Sequence, residues 1–204
     1  DFDFTVKQKY KSLEDGIAAG YLYPSDGIND FALDTLDIIY GAFLSFDANG
    51  NIASGQSYAN SVNSFLSRAH EKGVRVLPSI GALNATTIGY IKKISESPTL
   101  TEQFASNLLQ YVIDNKLDGV DMDWETPGST HGTYYTKLMK VIYEKFKAYD
   151  SELLVTAAIG AGPWLPDNYD LENSAQYHDY INMMSYDLQN PNRSTHHSAL
   201  YKST

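Results

Sequence analysis

Leu117-Asp118-Gly119-Val120-Asp121-Met122-Asp123-Trp124-Glu125 alternates carboxylates with apolar side chains over its second half. Period-two alternation marks a β-strand with one buried face. Val120, Met122 and Trp124 take that face, so Asp121, Asp123 and Glu125 share the other. Carboxylates so crowded cannot all ionise comfortably, and at least one should keep its proton to higher pH. A carboxylic acid still protonated near neutral pH is what an enzyme needs to protonate a leaving group. A solvated acidic turn fits poorly with the apolar alternation. A calcium site would spread its oxygen ligands over a loop rich in turn residues. The pattern reads as a catalytic strand, with no metal and no cofactor expected.

Outward from this strand the chain alternates strands with helices. Strands are expected over Gly16–Tyr23, Asp37–Leu44, Val74–Ile80, Leu153–Ile159 and Tyr180–Tyr186. A helix over 57–72 carries Tyr58, Val62, Phe65, Leu66 and Ala69 at helical spacing. Thr99 and Glu102 read as a capping box, opening a helix with Phe104, Leu108, Tyr111 and Val112 on one stripe. Residues 132–149 form another, turned inward through Tyr135, Leu138, Ile142 and Phe146, and a short helix is expected near 170–178. Asp47-Ala48-Asn49-Gly50-Asn51 has a faint calcium-loop pattern but reads as a plain turn.

Apolar strands alternating with helices mean a parallel sheet covered by helices. A doubly wound nucleotide fold would show a glycine-rich phosphate loop after its first strand. Gly20-Tyr21-Leu22-Tyr23-Pro24 is not one. In a (β/α)8 barrel, functional groups stand at the C-terminal ends of strands. Glu125 and Asp187 both end strands, which favours an α/β chain of the (β/α)8 type.

The composition sets bounds. The chain has 204 residues, 43% of them hydrophobic and 20% charged, enough for one domain with a real core. A net charge of −10 argues against nucleic acid or an anionic membrane as partner. No apolar run approaches a membrane span. The absence of cysteine excludes disulfides and thiolate metal sites. Sixteen tyrosines suit sugar faces, but tyrosine also packs cores.

The quoted stretch resembles the glycoside hydrolase family 18 signature Asp-x-x-Asp-x-Asp-x-Glu, matched from Asp118 to Glu125 without departure. Other points agree with that family. Gly20-Tyr21 is similar to the end of its first strand, and Ala42-Phe43 to the end of its second. Ser79-Ile80-Gly81-Ala82 is similar to its third-strand Ser-x-Gly-Gly. Met184-Ser185-Tyr186-Asp187 matches its sixth-strand motif, and His196-His197-Ser198-Ala199-Leu200-Tyr201 a following loop. The likeness is to the chitinase A type, supported by Trp124 and the complete sixth-strand motif.

The resemblance implies a (β/α)8 barrel that hydrolyses β-1,4 links in chitin or chitooligosaccharides. It further implies one catalytic domain over 1–204, with residues 1–15 as an extension. A secreted monomer is expected. Only about six of the eight strands can be counted, so the sequence is expected to be a fragment or to have its remainder elsewhere.

The resemblance also implies site roles. Glu125 is the general acid and base. Asp123 holds the acetamido N–H, and Asp121, deeper in the barrel, shares a proton with it. Tyr186 donates to the acetamido oxygen and Asp187 contacts the distorted sugar. Tyr21 and Ser79 partner the inner carboxylate. Gly81, Met184 and Trp124 complete the substrate-contacting group, although Trp124 reads more readily as barrel packing. Ala82, in place of a second glycine, is expected to push a methyl towards the sugar. Asp118 faces away from the other carboxylates by parity and is structural, beside Gly119.

His196 and His197 point apart in extended chain and read as loop residues. Trp164 is a candidate subsite residue. Asn84-Ala85-Thr86 and Asn192-Arg193-Ser194 match the N-glycosylation pattern. Two alternatives remain beside the chitinase reading: an endo-β-N-acetylglucosaminidase, and a chitin-binding lectin that does not turn over. An intact Glu125 disfavours the lectin.

Overall fold

The computed structural model describes residues 10–13, 16–53, 56–162, 165–187 and 198. Trp164, His196, His197 and the Asn192 pattern lie outside them. Six parallel strands form one sheet in sequence order: β1 (Ala19–Leu22), β2 (Ile38–Leu44), β3 (Arg75–Ala82), β4 (Gly119–Trp124), β5 (Leu154–Gly160) and β6 (Tyr180–Met184). The helices are α1 (Asp30–Thr35), α2 (Gln56–Glu71), α3 (Ala85–Glu96), α4 (Pro98–Asp114), α5 (Gly132–Tyr149), α6 (Leu165–Asn168) and α7 (Leu171–Ser174).

Parity divides the strands between two layers. Ile39, Val76, Ile80, Val120, Met122, Val155 and Ala157 pack outward against Phe65, Phe104, Leu108, Leu138, Ile142 and Phe146 of the helices. Ile38, Tyr40, Leu77 and Leu154 form a second, separate cluster with Leu13, Ile17 and Tyr180. The inner layer is apolar at its floor and acidic above it.

The sheet curls. Flat parallel strands spaced about 4.8 Å apart would hold β1 and β6 roughly 24 Å from each other. Instead Asn182 Nδ2 of β6 donates to Tyr21 Oη of β1 at 3.3 Å. The six strands are the curved wall of an incomplete (β/α)8 barrel, its described edges being β1 and β6.

Asp118 ties the floor together, in keeping with its structural reading. It accepts from Val76 N at 2.6 Å and from the Tyr10 hydroxyl, and pairs with His70 Nε2 at 2.8 Å. Asp47 folds its own turn, Oδ1 accepting from Asn49 N at 2.8 Å and Asn51 N at 3.0 Å. That carboxylate is spent on the backbone, as a plain turn requires.

Some local expectations change. Helix α4 is capped by Ser97, whose side chain accepts from Leu100 N, and not by a Thr99–Glu102 box. Pro98 at the first helical position, where a missing N–H costs nothing, sets the start. Helices α1 and α3 were not anticipated. Asn84, read as a glycosylation pattern, caps α3 by accepting from Thr86 N and Thr87 N in a full capping box with Thr87. Strand β1 is shorter than Gly16–Tyr23, and β6 ends at Met184, so Asp187 lies three residues beyond it in the left-handed region at φ 55°.

Candidate active site

Strand β4 carries Asp121 and Asp123 into the barrel, and Glu125 stands just past its end, its N–H bonded to Ala82 O at 3.1 Å. Asp121 is 0% exposed and Asp123 5%, whereas Glu125 is exposed. The three carboxylates form a ladder from the sealed interior to the mouth.

Asp121 is fully provided with donors. Oδ2 accepts from Ser79 Oγ at 2.7 Å and from Tyr21 Oη at 3.0 Å, and Oδ1 from Thr156 Oγ1 at 2.6 Å. Burial pushes its pKa up, while those three hydroxyls pull it down. The balance at Asp121 still lies upward, and Asp123 lacks such donors. Its Oδ1 is buried with no hydrogen-bond partner, and burial, Glu125 and Asp121 together push its pKa up to about 7. The environment of the crowded strand thus favours the protonated form at both inner carboxyls, with Asp123 the one left without donors at Oδ1. Among the described residues no hydrogen bond joins the two aspartates, so their coupling acts through space.

Asp123 and Glu125 line a cavity of about 270 Å³ with Tyr21, Tyr23, Phe43, Leu83, Met184 and Tyr186. Its walls are largely aromatic and aliphatic, and its base is acidic. Tyr186 is half exposed at the rim, its hydroxyl pKa raised by burial and by the charges of Glu125, Asp123 and Asp187. Asp187 is exposed and does not line the cavity.

Three sequence readings are corrected here. Trp124 is 0% exposed on the outward face, against Tyr135 and Tyr169. It cannot touch a ligand in the cavity; strand parity places it in the helix-covered core. Ala82 is likewise 0% exposed in that core, so its methyl does not reach the cavity. Gly81 faces inward, but what approaches it is the Phe43 ring. A Cβ there would lie 2.7 Å from Phe43 Cγ. Glycine is needed to seat Phe43, and Phe43 lines the cavity.

Thr156, Asn182 and Phe43 are site residues that sequence reasoning missed. The signal for the first two was present. Thr156 is the one hydroxyl in the apolar strand Leu154–Gly160, and Asn182 the one amide in Tyr180–Met184. A lone polar residue at an inward position of an apolar strand must find a partner.

The family model for glycosyl hydrolases family 18 matches residues 11–204. The chain belongs to glycosyl hydrolase family 18. It is 29% identical to human chitinase-3-like protein 2 over 139 residues, covering 63% of this chain and 35% of that protein. It is 31% identical to an endochitinase of Brugia malayi over 126 residues, covering 59% of this chain and 25% of that one. It superposes on the class V chitinase of Nicotiana tobaccum with a TM-score of 0.77 and 24% identity, over 91% of this chain and 58% of that one. A mutant of the tobacco enzyme is known in complex with NAG4. The chain thus spans about a third or less of the curated relatives it matches, and the structural likeness covers the wall formed by its six strands. Among the described residues no helix is long and apolar enough to cross a membrane.

Proposed function

We propose that this family 18 chain carries the catalytic wall of a chitinase, hydrolysing β-1,4-linked N-acetylglucosamine polymers outside the cell. The observation that supports this most is Asp123 Oδ1, buried, without a donor, and at the base of a cavity beside Glu125. A buried acceptor left empty costs free energy, and a ligand N–H would satisfy it. A 2-acetamido sugar offers such an N–H next to the anomeric carbon.

The mechanism proposed is the one the family resemblance implies, and the ladder of carboxylates supports it. Glu125, exposed at the mouth, gives its proton to the glycosidic oxygen. The substrate's own acetamido oxygen attacks the anomeric carbon, forming an oxazolinium ion, so no second carboxylate serves as nucleophile. Asp123 accepts the acetamido N–H and aligns the group, and the negative charge of the aspartate pair offsets the developing positive charge. Asp121, three times hydrogen-bonded, remains the negative partner behind it. Tyr186 donates to the attacking oxygen and Met184 packs under the acetamido methyl; Asp187, outside the cavity lining, takes no part in holding this sugar. Glu125 then takes a proton from water, which opens the ring of the intermediate with retention.

The test is Glu125→Gln, assayed on a fluorogenic chitobioside beside the parent. Turnover should fall by roughly 10²- to 10⁴-fold, as loss of a general acid does, while chitooligosaccharide binding persists. A variant that cleaves as fast as the parent removes Glu125 from this role. Binding without turnover by either protein gives the lectin reading, and cleavage confined to glycoprotein glycans gives the endoglycosidase.

A further inference from the structure

Tyr40 faces inward from β2 and is 1% exposed. It lies in register with Tyr21, their rings 4.7 Å apart at 31°. Its hydroxyl donates across the barrel to Asn182 Oδ1 at 3.5 Å, and Asn182 Nδ2 donates to Tyr21 Oη at 3.3 Å. Tyr21 in turn donates to Asp121 Oδ2. The Tyr40 hydroxyl also interacts with Thr156, the donor to Asp121 Oδ1.

The direction of this chain is fixed by chemistry. An ionised carboxylate only accepts. Tyr21 has one proton, and if Asp121 takes it the Tyr21 oxygen must be satisfied by a donor. Only the NH₂ end of Asn182 can serve, which leaves the amide oxygen facing Tyr40. Tyr40 thus acts on Tyr21, a donor to Asp121 Oδ2, while making no hydrogen bond to Asp121 itself.

We propose that Tyr40 is a positioning residue: through Asn182 it aims the hydroxyl proton of Tyr21 at Asp121, which favours the ionised form of the inner carboxylate. Ionisable and polar groups act on Asp121 from several elements: Tyr21 (β1), Tyr40 (β2), Ser79 (β3), Thr156 (β5) and Tyr135 (α5), with Asp123 on its own strand; Tyr180 and Asn182 (β6) act on Tyr40, and Glu125 on Asp123. Of these, Tyr40 and Asn182 alone act on the direction of other donors. The catalytic consequence rests on the chitinase reading; the placement of charge does not.

Tyr40→Phe keeps the ring against Tyr21 and removes only the hydroxyl. With ¹³C-labelled aspartate carboxyls, the lower of the two coupled titration steps should rise by about half to one pH unit, as loss of a donor to a carboxylate requires. Under turnover, the acid limb of kcat/KM should rise equally, with an about 3- to 10-fold loss below it and KM within about twofold. Asn182→Ala should give the same shift, and the double variant no more than either alone, because both act through one chain. A carboxyl titration unmoved in both variants overturns the proposal, whatever happens to their melting temperature. Parent protein that does not turn over refutes the chitinase reading, while the carboxyl titration still decides the role of Tyr40.

Discussion

Asp123 is held protonated to about pH 7 because burial, Glu125 and Asp121 all penalise its charge. In an unfolded chain the same side chain ionises near 3.9. The folded protein therefore binds that proton more tightly. The stability this contributes is complete below about pH 4 and lost as pH rises through about 7. Asp123→Asn removes the cost of the buried charge at high pH. The variant should melt several degrees above the parent at pH 8, with the gap closing towards pH 4, while turnover falls roughly 10²-fold or more. Differential scanning calorimetry at the two pH values checks the first part. Equal gaps at both would mean that folding leaves the Asp123 pKa unshifted.

At the level of single elements, β4 shows how the site is held. Gly119 opens it at φ 144°, and a Cβ there would sit 2.0 Å from Leu154 O. That approach lets Leu154 N reach Asp118 O at 2.9 Å and brings β5 hard against β4. Thr156 comes into line with Asp121 in the same register. Gly119→Ala combines a disfavoured backbone with a backbone clash, and should destabilise by roughly 3 kcal/mol or more, read by urea unfolding. A cost under about 1 kcal/mol would show that β5 can move away freely. The sequence made β4, its acidic face and its outward apolar face legible because period-two alternation reports both at once. It left α3 unread because Asn84-Ala85-Thr86 also fits a glycosylation pattern, and helix capping was the stronger physical claim on that asparagine. The resemblance alone put Trp124 among the substrate-contacting residues and the Ala82 methyl towards the sugar; strand parity, which already read Trp124 as packing, puts both outward. Phe43 and Gly81 could not be paired from sequence, since a register shift between Ala42 and Leu44 takes Phe43 out of the regular β2–β3 pairing, and its ring then lies over Gly81.

Across the whole molecule, two buried titrations of opposite sign set the response to acid. His178 precedes β6, its Nδ1 donating to Ser174 O and its Nε2 accepting from the Tyr135 hydroxyl, each at 2.9 Å. Both ring nitrogens are committed in the neutral form, and burial brings its pKa down to about 4. Unfolded histidine takes its proton near 6.5. Between these values the unfolded chain binds the extra proton, so His178 lowers stability as pH falls. Asp123 raises stability over much of the same interval. With both groups present, the two slopes oppose each other between about pH 6.5 and 4, and the parent should show a shallow dependence of stability on pH there. Asp123→Asn leaves the His178 slope uncovered, so its stability should fall by roughly 2–3 kcal/mol from pH 6.5 to 4 relative to the parent's change. Urea unfolding at half-unit pH intervals measures both curves. If they run parallel, the two carboxyl and imidazole titrations are not the opposed pair the geometry describes. If the variant's curve instead steepens only below about pH 4, the acid sensitivity belongs to ordinary carboxylates at the surface, and His178 carries none of it.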